Sequence, residues 1–104
     1  MSDNNFKNDL FSLFARIGKA LGNANRLELL EYIAQGERSV EKLAKVSGLT
    51  VANTSQHLQQ LRQSSLVASR IEGLKVYYSL SSNDVIELLA VLRAGAERHI
   101  ADVD

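Results

Sequence analysis

Residues 39–64 read SVEKLAKVSGLTVANTSQHLQQLRQS, and this stretch decides the architecture. Ser39 is a helix-capping residue, and Val40, Leu43 and Ala44 after it share one helical face. Ser47-Gly48 closes that short helix. Thr50 caps a second helix running to about Ser64. Its inward stripe is Thr54, His57, Leu58 and Leu61, spaced i, i+3, i+4, i+7. Two short helices on a glycine-containing turn make a helix-turn-helix, a motif whose second helix can enter the major groove of DNA.

With that stripe turned inward, the second helix presents Val51, Ala52, Asn53, Ser55, Gln56, Gln59, Arg62 and Gln63 outward, behind Thr50 at its start. None is acidic, whereas a plain solvent face more often mixes Glu with Lys. Asn and Gln pair with adenine edges, Ser bonds phosphate or base, and small apolar groups meet a thymine methyl. The charge distribution points the same way. The chain carries 12 Lys/Arg and 12 Asp/Glu and is neutral overall. Yet no acid falls between Glu41 and Glu72, and residues 39–78 hold five cations against two acids, +3 against −3 elsewhere. His57 has two readings, a DNA contact or ligand, or a buried ring bonded to the backbone. Its place on the Thr54/Leu58/Leu61 stripe favours the second.

After Ser65 the pattern changes. Leu66–Ile71 and Leu74–Leu80 are β-branched and aromatic runs around Glu72-Gly73, a hairpin signal. Arg70 and Lys75 flank Gly73, where they would lie beside a duplex and grip phosphates. Strand parity puts Tyr78 inward with Val76 and Leu80, and leaves Tyr77 outward as a phosphate contact.

Working outward, Leu10, Leu13, Phe14, Ile17 and Leu21 recur at helical spacing from about Phe6 to Leu21, and Phe6 and Phe11 widen the apolar surface. Gly22 ends this helix. Asn23 or Asn25 can cap the next, which carries Leu27, Leu30 and Ile33 and stops at Gly36. Ser81, Ser82 and Asn83 offer a cap for a last helix. From Val85 to Leu92 seven of its eight residues are apolar, Glu87 excepted, so every side of it is hydrophobic. A surface helix on a monomer would leave too large a bare patch. Leu10, Phe11, Phe14 and Ile17 of the first helix, with Val85, Ile86, Leu88, Leu89 and Leu92 of the last, are expected between two copies. The order is four helices, a hairpin and one helix in one domain over residues 1–104, with 1–5 and 101–104 expected to fray.

Several function classes fall away. There is no cysteine, so disulfides, thiolate metal sites and cysteine nucleophiles are excluded. The two histidines stand 42 positions apart, and no glycine-rich phosphate loop or singled-out carboxylate pair accompanies them, so an enzyme is not indicated. The polar N-terminus and short apolar runs read as a soluble, cytoplasmic chain with no membrane partner. A protein-interaction module is the alternative; it would call for an apolar or acidic face where this one is neutral, polar and acid-free.

Lys19-Ala-Leu-Gly followed by Asn25-Arg-Leu, Ser39-Val-Glu-Lys-Leu, Leu49-Thr, Ser55-Gln-His-Leu-x-x-Leu61, Gly73 and Val76-Tyr-Tyr-Ser-Leu80 together resemble the ArsR/SmtB-type winged-helix repressors over roughly residues 10–100. The resemblance implies a mainly α winged helix-turn-helix of order ααααββα. It implies a homodimer through the first and last helices, and a prokaryotic repressor bound to a double-stranded DNA operator. It does not carry over a sensor. The family's Cys-x-Cys-x-x-Cys positions fall on Ser39, Glu41 and Ala44. Of its second metal site only His99 and Asp102 fit, the other half falling on Ile86 and Leu88. No cofactor or metal is therefore expected, a residual His99/Asp102 site being the alternative.

Overall fold

The computed structural model describes residues 3–103. Its elements are helix α1 (Asp3–Leu21), helix α2 (Ala24–Ala34), strand β1 (Arg38–Ser39), helix α3 (Val40–Ser47), helix α4 (Val51–Gln63), strands β2 (Val67–Glu72) and β3 (Lys75–Leu80), and helix α5 (Asn83–Val103). The stretches expected to fray are helical over 3–5 and 101–103; residues 1, 2 and 104 lie outside the described residues. No helix among them is long and apolar enough to cross a membrane.

Local chemistry sets the boundaries. Asn23, Ser39 and Thr50 each adopt an extended conformation and accept a backbone N–H from three residues on, at Arg26, Lys42 and Asn53. Gly48, at φ 76°, ends α3 in the left-handed region that turns the chain into α4, and its N–H bonds the Ala44 carbonyl. At the far end of α4, Ser65 takes the left-handed role without being glycine, at φ 62°. Its N–H bonds the Arg62 carbonyl and that of Leu66 bonds the Leu61 carbonyl, the paired bonds of a Schellman ending. Leu61 and Leu66 are both buried, which supplies the apolar contact that holds this residue in an uncommon conformation.

The core sits where α2, α3 and α4 converge. Leu29 and Leu30 of α2, Leu43 of α3, and Leu58 and Leu61 of α4 are completely buried there. Thr54 joins them, its hydroxyl donating to the Thr50 carbonyl at 2.8 Å, so no polar group is stranded. Val67 and Tyr78 bring the sheet onto the same core, with Val76 and Leu80 beside Tyr78 on the inner face.

That sheet has three strands, in the order β1-β3-β2, all antiparallel. β1 goes beyond the expected hairpin. It is two residues long, pairing Arg38 with Tyr78 and Ser39 with Tyr77, and so carries no periodicity that a sequence could display. Ser39 is at once the end of this strand and the cap of α3, which locks the helix-turn-helix to the hairpin. Gly73 and Leu74 form the two-residue connection between β2 and β3, with Gly73 at φ 61°, where a type II′ turn places glycine.

The terminal helices differ from this compact centre. Residues 5–16 of α1 are exposed on every side; contact with the core begins at Ile17 and is complete only at Ala20. Helix α5 buries Val85 and Leu89 and is tied to α2 by Arg93, which meets Glu31 at 2.8 Å. Because fully buried leucines from α2, α3 and α4 close the centre, Leu61→Ala should destabilise the chain by about 2–5 kcal/mol, read from the urea midpoint. A loss below about 1 kcal/mol would show that the centre refills.

Candidate nucleic-acid interface

The outward side of α4 follows from which side is buried. Thr54, Leu58 and Leu61 face the core, and Val51, Ala52, Asn53, Gln56, Gln59, Gln60, Arg62 and Gln63 are exposed, with Ser55 half-buried at the edge. No acid stands in the first turn of α4, so the partial positive charge of its N-terminus is not cancelled by a neighbouring carboxylate. Thr50 spends its hydroxyl on capping, accepting from the Asn53 N–H at 3.0 Å. The side chains of Asn53, Gln56 and Gln59 are left for an incoming partner.

The second part of the surface is the β2–β3 hairpin. The side chain of Lys75 is exposed and makes no hydrogen bond or ion pair among the described residues. Arg70 does not stand free in the same way. Its guanidinium meets Glu37 at 2.7 Å and Glu72 at 2.8 Å and lies 4.7 Å from the centre of the Tyr77 ring. Arg70 and Tyr77 are register partners on the outer face of the sheet, which is why ring and guanidinium can stack. Both carboxylates keep the guanidinium protonated, and the Arg70 hydrogen bonds hold the Glu37 carboxyl below its usual range. Arg70, expected as a phosphate contact, fastens the exposed hairpin to the α2–β1 loop through Glu37. The pairing spans 33 positions, so no local pattern announces it.

His57 differs from the reading of a ring bonded to the backbone. It is half-buried, and Nδ1 lies 3.3 Å from Nη1 of Arg26, so its partner is a side chain on α2 and not the backbone. Burial lowers its pKa first, and the Arg26 charge lowers it further.

The apolar residues expected between two copies divide into two groups. Leu10, Phe11 and Phe14 on α1 and Ile86 and Leu92 on α5 are exposed, Phe14 by 56%. Phe11 and Phe14 already meet edge to face, 5.7 Å between ring centres. Val85 and Leu89, by contrast, lie in the chain's own core, and Ile17 and Leu88 are half-buried. A helix apolar all round has two apolar sides to satisfy, and the chain's own core takes the one bearing Val85 and Leu89. Phe6, Leu13, Val91 and Ile100 are exposed as well and extend the bare surface. An open groove of about 570 Å³ beside it, between α2 and α5, is lined by Leu27, Tyr32, Leu92 and Ile100 among others. Among the described residues no three His, Asp or Glu side chains gather into a metal-holding group; His99 and Asp102 lie on α5.

Known proteins share this arrangement. The model of the family described as bacterial regulatory protein, arsR family, matches residues 23–69, from the cap of α2 into β2. The HTH-type transcriptional regulator Rv0324 of Mycobacterium tuberculosis is 43% identical over 90% of this chain, which spans 42% of that relative's length. The uncharacterized HTH-type transcriptional regulator Rv0081 of the same species is 38% identical over 89% of this chain and 82% of its own. The chain belongs to the ArsR family. A solution structure described as the homodimeric winged helix-turn-helix DNA-binding domain Mb0332 of Mycobacterium bovis superposes with a TM-score of 0.86 at 40% identity, covering 95% of this chain and 90% of that one. The hairpin of this ArsR-family chain is therefore the wing, and α4 the helix in the recognition position.

The wing's fastening can be tested without a ligand. Glu37→Gln removes the charge that Arg70 grips most closely, so amide relaxation over residues 67–80 should show faster motion while α4 stays rigid. Acid should do the same. The Glu37 carboxyl is held low by Arg70, so the tether is present above the usual glutamate range and lost as pH falls below it. Unchanged wing dynamics in both cases would show that Arg70 fastens nothing.

Proposed function

We propose that this chain is a sequence-specific transcriptional regulator that binds double-stranded DNA as a homodimer, and represses by occupying an inverted-repeat operator. The observation that carries this reading is the exposed face of α4, amide-rich and free of acid, standing on a rigid core beside an exposed lysine on the wing. In this reading Asn53, Ser55 and Gln56 reach base edges from the N-terminal half of α4. Thr50, Val51 and Ala52 approach at its start, Gln59 and Arg62 follow the backbone, and Lys75 and Tyr77 meet phosphates from the wing. Arg70 contributes by holding the wing in position.

The bare apolar faces of α1 and α5 support the dimer, since a lone chain would keep Phe6, Phe11, Phe14 and Leu92 in water. Two-fold symmetry would present two copies of α4 to successive turns of one face of the duplex. The protein-interaction alternative finds no support at α4, which offers neither an apolar nor an acidic surface.

Two experiments check this reading. Gln56→Ala should cost about 1–3 kcal/mol of DNA affinity and relax preference at one position per half-site. Lys75→Ala should weaken all duplexes evenly and lower the salt slope by about one. The reverse pattern would contradict the assignment. Phe14→Asp with Leu92→Asp should give a folded monomer by sedimentation and circular dichroism, and lose operator binding. A dimer that survives both changes would place the interface elsewhere.

A further inference from the structure

Arg26 is the one arginine of the chain that the fold buries among the described residues, with 8% of its surface exposed. A buried guanidinium ordinarily needs a carboxylate, because its charge has been taken out of water. Arg26 has none. Its Nε donates to the Ala20 carbonyl at 2.6 Å and its Nη2 to the Lys19 carbonyl at 3.0 Å. These carbonyls belong to the last turn of α1, the negative end of that helix's dipole, where cations are favoured. The third arm, Nη1, reaches Nδ1 of His57 on α4 at 3.3 Å. Arginine has no acceptor atom, so Nδ1 must be bare and the ring neutral, with its proton on Nε2.

One side chain thus joins three helices. The end of α1 is held from α2, and the same planar group touches α4 at the residue next to Gln56. The rest of α1 is the exposed apolar helix assigned above to a second copy. We propose that Arg26 is a positioning residue that sets the orientation of the recognition helix relative to the dimer-forming helix, acting through the neutral ring of His57. This rests on the DNA-binding reading above and names the path by which the dimer would govern α4.

The tie is sensitive to protons. A protonated His57 would turn a donor and a positive charge toward Arg26, and the contact would open. The surroundings offer the charged ring no relief. On α4 itself its neighbours Asn53, Thr54, Gln60 and Leu61 are uncharged. From α2 it meets Arg26. Arg16 and Lys19 of α1 line a groove with Gln60 and Gln63. The charged residues of α3 and β2, the other elements against α4, are exposed, and these elements reach the core through Leu43 and Val67. The ring's affinity for a proton is accordingly below that of a free histidine. The bound arrangement is intact at neutral pH and is lost as pH falls below the ordinary histidine range.

The test uses the full chain and a duplex enriched by it from a random pool, with anisotropy read at pH 8 and pH 5.5 and the dimer followed by sedimentation. His57→Asn keeps an acceptor oxygen near the place of Nδ1 but does not titrate. It should bind within about threefold of the parent at pH 8 and lose the parent's extra weakening at pH 5.5. His57→Leu removes the acceptor and should cost about tenfold or more at both pH values while the chain stays dimeric. Parental affinity and pH profile in His57→Leu, or a parental pH profile in His57→Asn, would overturn the proposal. The tautomer gives a reading that needs no DNA. Imidazole nitrogen shifts should show Nε2 protonated and Nδ1 bare at pH 8, and the opposite tautomer would refute the tie even if the parent chain bound no duplex. Failure of all duplex binding with the expected tautomer would instead overturn the DNA-binding reading and the positioning role together, leaving only the local contact.

Discussion

The structure depends on the burial of one stripe of α4. Leu58 and Leu61 enter the centre formed by Leu29, Leu30 and Leu43, and Thr54 accompanies them because its hydroxyl bonds within its own helix. A helix of 13 residues has little freedom once its inner side is fixed this way. Its opposite side must then face water, and on that side the chain carries amides, small residues and one arginine. The Thr50 cap and the Schellman ending at Ser65 hold the helix at both ends, and the left-handed Gly48 turns the chain into it. The surface it offers is rigid before any partner arrives, which is what recognition of base edges requires.

Two long-range polar contacts orient the pieces that the core does not. Arg70 fastens the wing to the loop before α3, at an exposed site where each ion pair is weak alone but both carboxylates and the Tyr77 ring act on one guanidinium. Arg26 joins the ends of α1 and α2 to α4, at a buried site where dipoles take the place of a counter-charge. The first ties the wing to that loop; the second, as proposed above, makes α4 answerable to α1.

Much of this was legible from residue order, and the reasons are local. The helix-turn-helix could be read because caps, a glycine and an i, i+3, i+4, i+7 stripe all act within a few positions of one another. The hairpin could be read from strand parity, which puts Tyr78 in the core and Tyr77 outside. What escaped is non-local or too short. β1 has two residues and exists only because β3 is there to pair with it. The partners of Arg70 and His57 lie 33 and 31 positions away. The apolar character of Val85–Leu92 was plain, but its division between the chain's own core and an outer surface was not. Periodicity cannot say which of two apolar sides is claimed first, and the structure shows that Val85 and Leu89 are.

In the proposed function two copies of one rigid α4 read one duplex about a two-fold axis. Selection of bound sequences from random double-stranded DNA tests it most directly. The expected product is an inverted repeat with half-site centres one helical turn, about 34 Å, apart. Enrichment of a single unrepeated site, of a direct repeat, or of no sequence at all would contradict it.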